Sequence, residues 1–517
     1  MKRRIGEYLQ LLAEAGYVTK SELYHSGMKR VEGLTYESGK AGPGTLFVCK
    51  GASFRREYLE EAVERGAVCY VSEQDYGLKQ VPCILVRNIR EVMPLLAESF
   101  YQVPPGALRY IGVTGTKGKT TTTYYIRGIL DEYMKRSGGR NIAYLTSVET
   151  YDGAEREASS ITTPESFELY RHFRNAHDAG ITYLAMEVSS QALKYKRVQG
   201  IKFDVGIFLN ISEDHISPAE HRNFEDYFQS KLKLFRQVRT AIVNLDAQHS
   251  GRILRAASCA ERVLTFGKTP EADIYGHDIT VENGKVTFTV SCDRFEQQFT
   301  LAMHGIFNVE NALAAIAAAY AAGIGAEEMK QGLEQVTVDG RMEEYTSRDR
   351  NVKAIVDYAH NGLSFEKIFD SVKLEFPDYK VVSVFGCPGG KALNRRRDMG
   401  IIAGRACSKV YLSADDPSTE RVQDISREIG RYMEATGCPY ECIPDREEAI
   451  RKAIAEAEEN TVILVLGKGS ENSQKIGHIR RFYKSDSEIV KECMEKWASG
   501  TRSEEHTSEL QSPGIIS

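Results

Sequence analysis

Proline is scarce, at 14 of 517 residues, and a composition of 42% hydrophobic and 27% charged residues excludes a disordered chain. An excess of either charge is also missing. Lys and Arg number 67 against 72 Asp and Glu, a formal net charge of -5, so there is no electrostatic footprint for nucleic acid or anionic lipid. The ten cysteines form no CxxC pair, and the nearest two, Cys438 and Cys442, have no histidine beside them, which favours free thiols over a zinc site. Long apolar runs are absent: Ala312 to Ala322 is alanine-rich, contains Tyr320 and is too short to cross a bilayer. The basic start, Lys2 to Arg4, is followed by Glu7, Gln10 and Glu14, which reads as an amphipathic helix rather than a signal peptide. These absences leave a cytoplasmic protein, expected to be a monomer, acting on small molecules, with no nucleic-acid partner and no membrane insertion.

What is present is an α/β pattern in three parts. Residues 1–105 mix short strands such as Thr45 to Cys49 and Cys83 to Val86 with helical stretches such as Tyr58 to Arg65. Pro104-Pro105-Gly106 marks a boundary. Over 106–337, apolar runs at Tyr110 to Val113, Ile142 to Leu145, Tyr183 to Met186, Val205 to Leu209 and Ala241 to Val243 alternate with helical segments, as in a parallel sheet. A β-rich insert, Ile274 to Met303, precedes a helix near Asn308. Over 338–501 the alternation restarts at Ile355-Val356, Val381 to Phe385, Val410 to Leu412 and Val462 to Leu466, predicting a Rossmann-like, doubly wound domain. Residues 502–517 are unlike the rest; Arg502 to Ser512 reads as the translation of a sequencing-library adapter and is expected to be a non-native or disordered tail.

Gly115-Thr116-Lys117-Gly118-Lys119-Thr120-Thr121 lies between a strand and a helix, where backbone N–H groups cradle phosphates. Lys119 would meet the β/γ-phosphates and the Thr120 hydroxyl would hold Mg²⁺. A strict P-loop has glycine where this chain has Val113, so the match is to a shortened form. Glu187 and His215 end two further apolar runs, where open α/β sheets bind ligands, and offer donors for a cation.

Together these segments resemble the Mur ligase family, which builds the peptide of the bacterial cell-wall precursor. The resemblance rests on GTKGKTT at Gly115 to Thr121, TTPE at Thr162 to Glu165, EVSS at Glu187 to Ser190, and Asp214-His215. It continues through Tyr227-x-x-x-Lys231, HGxFNxxN at His304 to Asn311, GRME at Gly340 to Glu343 and DYAHN at Asp357 to Asn361. TTPE, EVSSQAL, DYAHNG and Gly467-Lys468-Gly469 are similar to the branch that adds the third peptide residue to UDP-N-acetylmuramoyl-L-alanyl-D-glutamate. The resemblance implies three domains, N-terminal for the UDP-substrate, central for ATP and C-terminal for the amino acid. It implies Gly115, Thr116, Gly118, Lys119, Thr120 and Thr121 around the ATP phosphates, and Asn308, Asn311, Arg341, Asp357 and His360 around the rest of the nucleotide. Thr162, Thr163, Ser189 and Arg197 would contact the UDP-muramoyl dipeptide. Thr120, Glu187, His215 and Lys231 would serve Mg²⁺, with Lys231 carbamylated by carbon dioxide into a carboxylate-like ligand.

The added amino acid is expected to be read by Arg396, Asp415, Asp416, Ser418, Gly467 and Glu471. Diaminopimelate-adding members resemble DNPR, whose arginine pairs with the substrate's extra carboxylate. Here Asp415-Asp416-Pro417-Ser418 lacks that arginine and adds an acid, favouring a diamino acid with a cationic terminus such as L-lysine; L-ornithine and meso-diaminopimelate are the alternatives. Glu37 to Lys40 and Tyr195 depart from the family's substrate-contacting pattern. A folylpolyglutamate synthase-like ligase and a non-catalytic ATP-binding scaffold are the competing readings.

Overall fold

The structure, a computed structural model, describes residues 3–23, 26–51, 54–217, 220–282, 285–347 and 351–498. The expectation for the tail beyond residue 501 falls outside the described residues. The chain forms two compact units. One comprises Met1–Ile279, Thr287–Leu301 and Asn308–Val336, the other Thr280–Val286, Ala302–Phe307 and Thr337–Ser517. Among the described residues no helix is long and apolar enough to cross a membrane.

The first unit holds two sheets. The smaller runs in the order Val18–Glu22, Cys83–Val86, Ala67–Ser72, Thr45–Val48, Gly33–Thr35. Thr45–Val48 and Cys83–Val86 are buried along their whole length, which is why they read as apolar runs. The larger sheet has eleven strands, with Arg109–Thr114 flanked by Phe203–Phe208 and Tyr183–Glu187, both parallel to it. Register places Glu187 opposite Val113 and Phe208 opposite Thr114, so three strands finish at one edge, where an open parallel sheet presents ligand-binding loops. The strand Ile274–Glu282 joins this same sheet through its parallel pairing with Phe266 and Gly267, so the β-rich insert extends the central layer. The two sheets share one contiguous buried core, from Ile5, Leu46 and Ile84 to Leu184, Phe203 and Val243.

The second unit has six strands in the order Glu343–Ser347, Val352–Asp357, Thr461–Leu466, Lys380–Phe385, Lys409–Leu412, Tyr440–Cys442. The first is antiparallel and the others parallel. Ile355 belongs to one hydrophobic cluster and its neighbours Ala354 and Val356 to another, so both faces of the sheet are covered, as in a doubly wound fold. An antiparallel hairpin, Ser473–Ile476 with Ile479–Phe482, follows the last parallel strand.

Candidate active site

The phosphate-loop motif turns from the strand Arg109–Thr114 into the helix Lys119–Arg136. Gly118, at the helix N-cap, has φ 87°, and a Cβ there would lie 2.2 Å from Asn311 Oδ1. Only glycine suits that position. Asn311 is thereby placed against the loop, and its Nδ2 donates to Asn308 Oδ1 at 2.9 Å, which brings both predicted asparagines to the same end of the sheet.

Two lysines converge on one carbonyl. Lys119 Nζ donates to Gly115 O at 3.0 Å and to Thr116 O at 3.3 Å, and Lys231 Nζ donates to Gly115 O at 2.8 Å. Lys231 reaches it because Asn223 caps the helix Phe224–Leu232 by accepting from Asp226 N, leaving Tyr227 and Lys231, four residues apart, on one buried face. The Tyr227 hydroxyl donates to Thr116 Oγ1 at 3.1 Å. Lys231 is 2% exposed; its burial, with the Lys119 ammonium close by, holds it well below the ordinary lysine value.

Beside the lysines is a pair of oxygen donors. Thr120 Oγ1 donates to Glu187 Oε1 at 2.8 Å, and Glu187 is 1% exposed. Two hard oxygens, one anionic, in a buried site next to a phosphate loop are the donor chemistry that Mg²⁺ takes, so the residues fit the ion. His215 lies at the rim with φ 56°, its Nδ1 bonded to Glu220 Oε1 at 2.8 Å and its ring 5.9 Å from that of Tyr227. Thr163 ties the residues expected to contact the UDP-muramoyl dipeptide to this centre. Its Oγ1 donates to Glu187 O and accepts from Ser189 N at 3.0 Å, while Arg197 NH1 donates to Thr163 O at 3.0 Å. Ser189 Oγ is also an N-cap, accepting from Ala192 N, and Thr162 is the half-buried neighbour of Thr163.

In the second unit Arg341 lies over the Tyr358 ring at 4.4 Å, and Asp357 accepts from Met342 N and Ala359 N. His360 Nδ1 is bonded to Tyr358 O. The Tyr358 hydroxyl donates to Glu471 Oε1 at 2.9 Å, and Lys468 Nζ bridges Glu471 Oε2 at 2.5 Å and Asp416 Oδ1 at 3.0 Å. Burial alone would lower Lys468, but Glu471, Asp415 and Asp416 outweigh it and hold the ammonium above its ordinary value; burial pushes the Asp415 carboxyl up. Ser418, at φ 52°, is pinned to the hairpin by Ser418 N to Lys475 O and Gly477 N to Ser418 O. Arg396 is engaged by Glu428 at 2.6 Å and by both oxygens of Glu420 at 2.9 and 3.0 Å, so it would take a substrate carboxylate only by exchanging one of these partners.

Several residues of the site carried no sequence signal of their own. Ser147 donates its N–H to Glu187 Oε1 at 2.7 Å, and its hydroxyl lies 3.0 Å from that of Thr120. Asn210 clamps the loop, accepting from Lys117 N and donating to Lys117 O. Lys468 is visible in the sequence as part of Gly467-Lys468-Gly469, but its contact with Asp416, 52 residues away, is not.

This combination, a parallel sheet with a phosphate loop on a central strand and a buried Thr–Glu oxygen pair beside it, defines a P-loop α/β protein. Residues 113–319 match the Mur ligase middle domain and residues 340–469 the Mur ligase glutamate ligase domain. The chain belongs to the Mur ligase family. It is 36% identical over 509 residues to the UDP-N-acetylmuramyl-tripeptide synthetase of Lactobacillus delbrueckii subsp. bulgaricus, covering 94% of this chain and 98% of that one. It is 38% identical over 465 residues to the UDP-N-acetylmuramoyl-L-alanyl-D-glutamate--L-lysine ligase of Streptococcus mutans, covering 89% and 92%. Among solved structures, a UDP-N-acetylmuramoyl-L-alanyl-D-glutamate--2,6-diaminopimelate ligase shares the fold, with TM-score 0.64 and 24% identity over 96% of this chain and 99% of that one.

Proposed function

We propose that this protein is an ATP-dependent ligase that adds L-lysine to UDP-N-acetylmuramoyl-L-alanyl-D-glutamate, releasing ADP and phosphate, in the cytoplasm. The observation that carries the reading is the convergence of Lys119, Lys231, Thr120 and Glu187 on the phosphate loop. The relatives that share most of this chain's length are named for this chemistry, and Ser418 stands where a second substrate carboxylate would want an arginine.

The charges of the site account for the order of events. The acceptor carboxylate attacks the γ-phosphate, breaking its bond to ADP and forming an acyl phosphate; Lys119 and the loop amides offset the charge that spreads over the transferring group. Thr120 and Glu187, with His215 at the rim, are the residues that would hold Mg²⁺, which supplies charge neutralisation to the phosphates. Burial and the neighbouring Lys119 ammonium lower the proton affinity of Lys231, which favours its neutral amine, and a neutral amine adds carbon dioxide to give a carbamate and a proton. Such a carbamate at Lys231 would turn a competing cation into an anion beside the metal site. In the second unit, Asp415, Asp416 and Glu471 surround the Lys468 ammonium, an acidic setting that suits a substrate side-chain ammonium better than a second carboxylate. The amine then attacks the acyl carbonyl, and phosphate leaves.

The test is ADP release with ATP and UDP-N-acetylmuramoyl-L-alanyl-D-glutamate, offering L-lysine, L-ornithine and meso-diaminopimelate separately. Turnover selective for L-lysine supports the assignment. Selectivity for diaminopimelate would keep the ligase and overturn the reading of Asp416 and Ser418.

A further inference from the structure

Arg396, on the helix Asn394–Ala406, has a side chain only 4% exposed, and two glutamates share its guanidinium. NH1 donates to Glu428 Oε2 at 2.6 Å; Glu428 belongs to the helix Val422–Met433, which packs along the helix of Arg396. NH2 donates to both oxygens of Glu420, at 2.9 and 3.0 Å, and reaches Pro388 O at 3.4 Å. The two acids are held differently. Helix packing fixes Glu428. Glu420 lies outside any helix or strand, on the short connection that follows Ser418; its N–H is tied to Pro417 O at 3.0 Å, and its side chain is 34% exposed.

Glu420 occupies a cradle suited to any carboxylate. Besides the guanidinium, its Oε1 accepts from Gly390 N, in the loop that precedes Arg396. That loop and the segment carrying Ser418 are closed on each other: Gly389 N donates to Asp416 O at 3.0 Å, and a Cβ at Gly389 would lie 1.9 Å from Pro417 O. Glu420 uses the guanidinium incompletely. Both of its oxygens fall on NH2, while Arg396 Nε is buried and has no hydrogen-bond partner among the described residues. A carboxylate set one N–H further along would pair with Nε and NH2 together, the stronger bidentate arrangement. A buried guanidinium stripped of its anion is strongly unfavourable, so one carboxylate leaves Arg396 only as another arrives. We propose that Glu420 stands in for the α-carboxylate of the incoming amino acid, which binds by displacing Glu420 from Arg396 while Glu428 stays in place. This assignment rests on the ligase reading above and not on which amino acid is added, since every candidate carries an α-carboxylate.

The alternative is that Glu420 only staples the two loops together, and the two roles differ in sign. Removing a staple loosens the amino-acid site, whereas removing a competing anion opens it. The experiment is steady-state kinetics of the full chain and its E420Q, E420A and E428Q variants with ATP, UDP-N-acetylmuramoyl-L-alanyl-D-glutamate and the amino acid, with thermal unfolding followed in parallel. Two inhibitors show which end of the amino acid is affected: for L-lysine, 6-aminohexanoate lacks the α-amine and cadaverine lacks the carboxylate. E420Q and E420A should lower KM for the amino acid about tenfold, the shift expected when an open state populated one part in ten becomes dominant. KM for ATP and for the acceptor should not change, and kcat should stay within about twofold. Inhibition by 6-aminohexanoate should strengthen in parallel, that by cadaverine should stay as it is, and E428Q should show no such gain. An unchanged or raised KM for the amino acid in E420Q and E420A, or an equal fall in E428Q, overturns the proposal while leaving the ligase reading intact. Absence of acceptor-dependent ADP release by the wild-type chain overturns both.

Discussion

Replacing Arg446 by Met should destabilise the second unit more than any substitution at the rim of its site. Arg446 and Asp486 form an ion pair whose side chains are both 0% exposed. Nε and NH2 meet the two carboxylate oxygens at 2.8 and 2.7 Å, NH2 also donates to Leu466 O at 2.8 Å, and NH1 donates to Ala414 O at 3.2 Å. The Tyr483 hydroxyl donates to Asp486 Oδ1 at 2.7 Å. Methionine fills much of the volume but leaves a buried carboxylate with one neutral donor and two carbonyls without theirs, a cost of about 3–5 kcal/mol. For a unit of this size that corresponds to a fall in Tm of roughly 6–20 °C. Thermal unfolding of the full chain, followed by circular dichroism, reads the loss. The double variant R446M/D486L, which removes both charges, should recover most of the loss. The two carbonyls immediately precede Asp415 and Gly467, so R446M should also raise KM for the amino acid while KM for ATP is unchanged. A loss below about 1 kcal/mol, or a double variant less stable than R446M, would refute the reasoning that the unpaired charge sets the cost.

Further expectations follow from the first unit. Lys231→Ala should lower turnover on the order of a hundredfold or more, with partial recovery in short-chain carboxylates that can occupy the vacated place; loss that carboxylates do not relieve would count against the carbamate. Gly118→Ala forces a side chain into left-handed backbone 2.2 Å from Asn311 Oδ1, and equilibrium binding of ATP should be abolished while thermal stability changes by little more than about 1–2 kcal/mol. Asp152 is held at about 2: burial would raise it, but the bonds from His172, from the Glu155 and Ala154 amides and from Asn175 prevail. Because its folded value is depressed, the stability it contributes is complete above about pH 4 and disappears as the pH falls toward 2. Asp152→Asn should therefore cost about 2 kcal/mol at neutral pH and only a small fraction of that at pH 2, and an equal cost at both would refute the assignment.

The parts of this protein that were legible in the sequence are those whose physics is local. A fully buried parallel strand must be apolar along its length, so Tyr110 to Val113 and Val462 to Leu466 declared themselves, and a phosphate loop is a contiguous string whose glycines and lysine have fixed spacing. The short strands Glu149–Tyr151 and Arg156–Ala158 did not, because they extend the edge of the sheet and lack an apolar run; the second is exposed throughout. The hairpin after residue 472 is largely exposed, lacks a contiguous apolar run and is equally silent, yet it fixes Ser418. Charges brought together from distant positions were illegible for a different reason. Asp416 reads as an acid awaiting a substrate cation, and only the fold reveals that Lys468 already bridges it to Glu471. Arg396 likewise reads as a free carboxylate receptor until Glu420 and Glu428 are placed around it.

The central claim is that the phosphate loop and its Thr120–Glu187 pair activate a carboxylate by phosphorylation. The most direct measurement is a turnover with acceptor carrying ¹⁸O in both carboxylates of its D-glutamate, followed by mass analysis of the released phosphate. Attack of the carboxylate on ATP predicts one labelled oxygen in each phosphate formed with L-lysine present. Unlabelled phosphate accompanying amide formation would contradict it.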